Sequence, residues 1–277
     1  MIGAIVGDIA GSRFEFCNLK SKEFVLLAAE DEAEWGPASC FTDDTVMTLA
    51  VAQALADWRE SGSSDSGELS TMAVRAMQDF GRRYPRAGYG GHFAQWISEA
   101  DPRPYNSWGN GAAMRVSACG WAGRTLDEVK AMSLAVTEVT HNHPEGIKGA
   151  EATAVCVFLA RQGKSKDEIK AHVSEHYYPL DFTLDEIRPT YDFDVPCQGS
   201  VPQALEAFFE STSFEDAIRN AISIGGDSDT IGAITGSIAG AYYGVPNDIR
   251  NKALSYLDDF QRETISEFEA LWPEKHG

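Results

Sequence analysis

Two short stretches near opposite ends of the chain concentrate the chemistry: Phe41-Thr42-Asp43-Asp44-Thr45 and Gly225-Gly226-Asp227-Ser228-Asp229-Thr230. Each sets two carboxylates beside hydroxyls at the start of an apolar run. Adjacent carboxylates repel, so a pair of them at one helix start needs compensation. One reading is helix capping, because Thr and Asp favour that end and the helix dipole favours negative charge there. In the second stretch capping uses one aspartate and leaves the other unexplained. Asp227 and Asp229, two residues apart, can both bend toward one point in a turn, and the glycines before them let backbone approach closely. The other reading is coordination of hard cations. Asp43, Asp44, Asp227 and Asp229 offer four carboxylates to one site, which suits a pair of Mg²⁺ or Mn²⁺ ions, whereas zinc lacks a Cys/His set here.

Three further stretches carry alternatives. Glu15 follows a run of small residues and is either a surface acid or a group that reaches the metals or orients a water. Gly109, Asn110 and Gly111, in Ser107-Trp108-Gly109-Asn110-Gly111-Ala112-Ala113-Met114-Arg115, form either a structural turn or a set of backbone N–H groups presented to a phosphate. The Lys-Ser/Thr ending of a P-loop is missing. His141 and His143, before Pro144, are two residues apart rather than the four of a zincin helix. They cap and pack, or they hydrogen-bond a sugar or diphosphate. No Gly-x-Ser-x-Gly nucleophile motif occurs.

The elements that must position these groups read as helices. Thr42 caps a helix that runs to about Trp58, and apolar periodicity predicts others over 72–80, 126–139, 146–161, 201–209, 214–224, 230–243 and 247–272, the last long enough to be broken. Residues 23–27 are the best strand candidate. An all-α domain is the economical fold. Gly3, Gly7 and Gly11 recur every fourth residue, as do Gly232, Gly236, Gly240 and Gly244. Glycine within a helix costs about 1 kcal/mol against alanine, so repeating it on one face points to another backbone or a ligand close by. These two helices are expected to pack together at the centre. Residues 59–70 and 177–199 read as irregular connections, and 84–110, mixing Gly, Pro and aromatics, as a loop that could bind a ligand.

Composition narrows the partners. The 277 residues carry a net charge of -19, from 42 acidic and 23 basic side chains. That field repels nucleic acid and anionic membrane surfaces and attracts divalent cations. Hydrophobic residues make up 43% of the chain, enough for a packed core. The five cysteines are scattered, which argues against a disulfide framework and suits buried thiols in a reducing cytoplasm. The N-terminal run lacks the basic start of a signal peptide, and no stretch is long and apolar enough to span a membrane.

Taken together and in order, these motifs resemble the ADP-ribosylglycohydrolase family, the group that includes the dinitrogenase reductase-activating glycohydrolase. The carrying residues are Gly7-Asp8 with Gly11-Ser12 and Glu15, the Thr42-Asp43-Asp44-Thr45 run, Gly109-Asn110-Gly111 with Met114-Arg115, Thr140-His141 with His143-Pro144-Glu145, and Gly225 to Thr230. The resemblance implies one all-α orthogonal bundle over residues 1–277 around a central cleft, acting as a monomer. It implies two Mg²⁺ or Mn²⁺ ions with Thr42, Asp43, Asp44, Asp227, Asp229 and Thr230 as ligands or their close neighbours. Glu15 would sit beside the metals, and Gly109, Asn110, Gly111 and His141 would line the substrate cleft. The implied reaction is hydrolysis of the bond between ADP-ribose and a modified protein or small acceptor. Asp43 or Asp44 would accept a proton from water, and Glu15 would orient the ribose or the leaving group. Tyr89, His92, Phe93, Trp96, Tyr105 and Trp108 either pack in the core or cover the cleft and stack on adenine. Two rivals stand beside this reading: a family member that binds without catalysis, and a two-metal phosphoester hydrolase.

Overall fold

Helix α1 (Ile2–Gly11) is built from ten buried residues of which one, Asp8, is charged. A long coil leads from it to α2 (Asp43–Glu60) and α3 (Ser66–Arg83). Next come α4 (Gly91–Ser98), α5 (Ser117–Ala122), α6 (Leu126–Thr137), α7 (Pro144–Arg161) and α8 (Lys166–His176), then the single turn α9 (Leu184–Ile187). The chain ends through α10 (Cys197–Phe209), α11 (Phe214–Ser223), α12 (Ser228–Tyr243), α13 (Asn247–Leu254) and α14 (Asp259–Leu271). The structure is a computed structural model that describes residues 1–33 and 36–273. Among the described residues no strand forms, and the one β-bridge joins Gly109 to Pro196. None of their helices is long and apolar enough to cross a membrane.

The two glycine-faced helices meet as their spacing predicts. A Cβ on Gly7 would stand 1.9 Å from the carbonyl oxygen of Gly232, and one on Gly3 would stand 2.1 Å from that of Gly236. Backbone therefore touches backbone along the whole of α1. Gly244 is outside this contact. It ends α12 at φ +75°, a left-handed position with open space around it. Helices α7, α10 and α11 pack against α12, α2 packs against α1 and α3, and α14 closes over α2. Ile2, Ile5, Ile9, Met47, Leu49 and Phe208 belong to one continuous hydrophobic core.

Several expectations from the sequence need correction. Residues 23–27 are not a strand. Arg219 Nη1 donates to the carbonyls of Lys22 (2.7 Å) and Phe24 (2.8 Å), so a guanidinium satisfies this backbone in place of a ladder. The connection at 59–70 ends early because Asp65 caps α3, its side chain accepting from the Gly67 N–H. The 84–110 stretch contains α4, which buries Phe93, Trp96 and Ile97. The 177–199 stretch contains α9 and the first turn of α10. The 247–272 helix is broken, as its length allowed, with Asp258 capping its second half. Cys119, Cys156 and Cys197 are buried, but Cys17 and Cys40 are exposed.

The contact between α1 and α12 leaves no room for a methyl group. Gly7→Ala is expected to destabilise the protein by about 1–3 kcal/mol through overpacking, read as a lower midpoint in thermal unfolding. An unchanged midpoint would contradict the packing described.

Candidate active site

Asp8 ties α1 to the start of α2. Its Oδ1 accepts from the Thr42 hydroxyl (2.6 Å), and its Oδ2 accepts from the backbone N–H groups of Thr42 (2.9 Å) and Thr45 (3.0 Å) and from the Thr45 hydroxyl. Thr42 is the N-cap of α2, its hydroxyl oxygen accepting from the Asp44 N–H at 3.3 Å. Asp8 was read from the sequence only as part of a motif. The signal for more was there, since a lone carboxylate in an apolar helix must be buried and must find donors.

The second acidic stretch arrives from the other side of the glycine contact. Gly225 and Gly226 are both left-handed, at φ +73° and +74°, and a Cβ on Gly225 would stand 1.9 Å from Asn18 Oδ1. This turn delivers Asp227 just before α12 and Asp229 in its first turn. Asn110 Nδ2 donates to Asp227 Oδ2 at 2.7 Å, which ties the 110–112 turn to the acids. Thr230 Oγ1 donates to Asp44 Oδ2 at 3.3 Å, so the two clusters are bonded to each other.

The carboxylates fall into two groups. Asp8, Asp44 and Asp229 each offer an oxygen within 4.8 Å of the others, and so do Glu15, Asp227 and Asp229. Asp229 belongs to both. Asp43 lines the same cleft but is in neither group, and its Oδ1 would lie 3.4 Å from a Cβ on Gly88. Among the described residues, no lysine or arginine forms an ion pair with any of these six acids. Asp44 Oδ1 is buried with no donor at all. Burial and mutual repulsion push the carboxyls of Asp44 and Asp229 well above the usual range. Burial, then the charges of Asp227 and Asp8, raises Glu15 to about 7; burial, then Asp8, raises Asp43 to about 7. An all-oxygen set, desolvated and without a cationic partner, fits a hard divalent cation.

The cleft beside these acids has a volume of about 400 Å³. Gly109, Asn110, Gly111 and His141 line it. Arg115 Nη2 donates to Thr140 Oγ1 (2.7 Å), and the Thr140 hydroxyl lies 2.7 Å from His141 Nδ1. That hydroxyl has one proton to give, to Nδ1 or to the Thr137 carbonyl at 3.5 Å, and the tautomer of His141 sets which. Burial, then Arg115, holds the imidazole well below its usual pKa. His141 is therefore neutral, with Nε2 3.5 Å from where a Cβ on Gly111 would be. His143, by contrast, caps α7. Of the aromatic stretch, His92, Phe93 and Tyr105 reach the cleft. Trp96 is buried in a stack with Phe93, Tyr89 packs on Phe93, and Trp108 stands half-exposed against His143. Phe193 and Val195, from a segment read only as an excursion, complete the wall.

A carboxyl whose pKa is raised by folding holds a proton that the unfolded chain has released. Its contribution to stability is present below the unfolded value, near 4, and is lost as pH rises through the folded value. For Glu15 and Asp43 that window closes at about 7. In chelator the protein should lose thermal stability between about pH 4 and pH 7, and Mn²⁺ should restore it at pH 7. A melting temperature indifferent to both pH and Mn²⁺ would contradict the electrostatics described.

The chain is similar to several known proteins. The family model described as ADP-ribosylglycohydrolase matches residues 1–276. The ADP-ribosylhydrolase ARH3 of Bos taurus is 28% identical, over 88% of this chain and 84% of its own length. The ADP-ribosyl-dinitrogen reductase glycohydrolase of Rhodospirillum rubrum is 28% identical, over 98% of this chain and 93% of its own. The ADP-ribosylarginine hydrolase Tri1 of Pseudomonas putida (strain GB-1) is 27% identical, over 88% of this chain and 70% of its own. A solved structure titled ADP-ribosylglycohydrolase-related protein complex shares the fold, with a TM-score of 0.68 at 23% identity over 98% of this chain and 96% of that one. The helical architecture, the buried acids gathered from both ends and the match along the chain lead to one assignment: the chain belongs to the ADP-ribosylglycohydrolase family, hydrolases of glycosyl bonds.

Proposed function

We propose that this protein hydrolyses the N- or O-glycosidic bond between ADP-ribose and a protein side chain or small acceptor, with two Mg²⁺ or Mn²⁺ ions held in the acidic cleft. The observation that carries the proposal is the shared carboxylate of Asp229, common to two groups of three acids that no lysine or arginine among the described residues neutralises. Asp8, Asp44 and Asp229 would hold one ion, and Glu15, Asp227 and Asp229 the other. The hydroxyls of Thr42 and Thr230, bonded to these carboxylates, keep them in place. When bound, divalent cations supply Lewis acidity and lower the pKa of a bound water.

The remaining steps belong to side chains. Asp43 makes no side-chain hydrogen bond to another described residue, so its carboxylate is free to take a proton from the attacking water. Glu15 is half-buried and its carboxylate makes no hydrogen bond to another described residue, which leaves it free to orient the ribose or the departing acceptor. The surrounding carboxylates favour the positive charge that develops on the ribose ring as the bond to the acceptor breaks. A diphosphate in so acidic a cleft needs donors. His141, held neutral by burial and by Arg115, supplies one in the tautomer that carries its hydrogen on Nε2.

The test is incubation with arginine- and serine-linked ADP-ribosyl peptides in Mg²⁺, Mn²⁺ or EDTA, following ADP-ribose by mass. Metal-dependent release of free ADP-ribose is expected, and the preferred peptide names the linkage. Asp229→Ala and Asp44→Ala should abolish release while helix content stays near wild type. AMP or phosphate as product would favour a phosphoester hydrolase. Tight cation binding without release from any linkage would favour a non-catalytic member of the family.

A further inference from the structure

A second cavity, of about 640 Å³, shares no lining residue with the acidic cleft. Helix α2 separates the two. Asp43 and Asp44 at its start face the cleft, Trp58 and Arg59 at its far end face the cavity, and the helical rise sets Asp44 and Trp58 about 21 Å apart. The other walls come from the α2–α3 loop, the start of α6, the last turn of α7 and the end of α14.

Charge sets this cavity apart from the rest of the molecule. The chain has 42 acidic against 23 basic residues, yet the lining holds three arginines, Arg59, Arg124 and Arg161, and one acid, Glu128. Glu128 is engaged by Arg124 at 2.9 Å. Arg59 and Arg161 pair with no carboxylate among the described residues. Arg161 is half-buried and donates from its two terminal nitrogens to the carbonyls of Trp121 and Gly123, which leaves its Nε buried without an acceptor. Burial lowers its pKa, the direction expected of a guanidinium lacking a counter-ion. Arg59 lies over the Trp272 ring at 4.8 Å and is pinned by a 2.9 Å bond to the Leu271 carbonyl. Trp58 is held by a 3.0 Å bond from its Nε1 to the Asp65 carbonyl. The Asp65 carboxylate itself is turned to the Gly67 N–H, 2.9 Å away, as the cap of α3.

Two guanidinium groups without a carboxylate partner among the described residues, and two indole rings, surround one hollow and define a ligand class. The planar fork of arginine matches phosphate oxygens in pairs, and an indole face stacks on a flat heterocycle. The volume lies within the range of about 300–1,000 Å³ typical of small-molecule sites. We propose that this cavity binds a nucleoside monophosphate, its phosphate on Arg59 and Arg161 and its base against Trp58 or Trp272. This site stands apart from the glycosyl chemistry and does not rest on it.

Equilibrium dialysis of AMP against the full chain tests the proposal, with inorganic phosphate as the control that lacks a ring. Saturable AMP binding is expected, with inorganic phosphate binding more weakly. Arg59→Glu and Trp272→Ala should each weaken AMP by about tenfold or more, the loss expected for a charge-assisted bond or a stacked base. Asp229→Ala, in the other cleft, should bind AMP as wild type does. Thermal unfolding reports whether each variant folds, and Arg59→Gln, which keeps most of the side chain over Trp272, replaces Arg59→Glu if the latter does not. The proposal is overturned by no saturable binding to the wild type, by unchanged AMP affinity in the Arg59 and Trp272 variants, or by loss of binding in Asp229→Ala alone.

Discussion

Helices α1 and α12 touch backbone to backbone, with Gly3, Gly7 and Gly11 set against Gly236, Gly232 and Ser228. Everything at the site follows from how close that contact is. Asp8 sits one residue beyond Gly7, and Asp229 sits one turn before Gly232. Only a contact without side chains brings carboxylates from the two ends of the sequence within 4.8 Å of one another. The cost of glycine in helix interiors, about 1 kcal/mol each, is thus a condition of the site rather than a flaw in the helices.

The same closeness creates an electrostatic problem that local hydrogen bonds solve in part. Asp8 spends its oxygens on four donors from the first turn of α2, so it orients that helix as much as it repels its neighbours. Asp227 is held by Asn110, and Asp44 by Thr230. These bonds fix direction without supplying positive charge. Cations would supply it, and until they bind, protons shared among raised carboxyls are the alternative. Arg115, which lines the same cleft, is spent on Thr140.

Local chemistry was legible in the sequence and long-range contact was less so. The Thr42 cap and the four-residue glycine spacing could be read because each depends on neighbours along the chain. The acids of both clusters could be named for the same reason. What separates Asp43 from Asp44 could not, because successive helical residues point about 100° apart and only the fold decides which one faces Asp8 and Asp229. Asp8 hid inside an apolar helix, where its value as a donor-bonded anchor depended on a partner 34 residues away. The segment around Phe193 looked irregular because it is. Its place at the cleft comes from Tyr191, whose ring lies against Gly226, and from Asn18, which bonds Asp192 at 3.2 Å. No periodicity announces contacts of that kind.

The central claim is that two groups of acids sharing Asp229 form a dinuclear cation site. Anomalous diffraction from crystals grown with Mn²⁺ tests it most directly. The account predicts two manganese peaks in the cleft, one against Asp8 and Asp44, the other against Glu15 and Asp227, with Asp229 between them. Crystals soaked to saturation that show no manganese in the cleft, or manganese bound only at other surface acids, would contradict it.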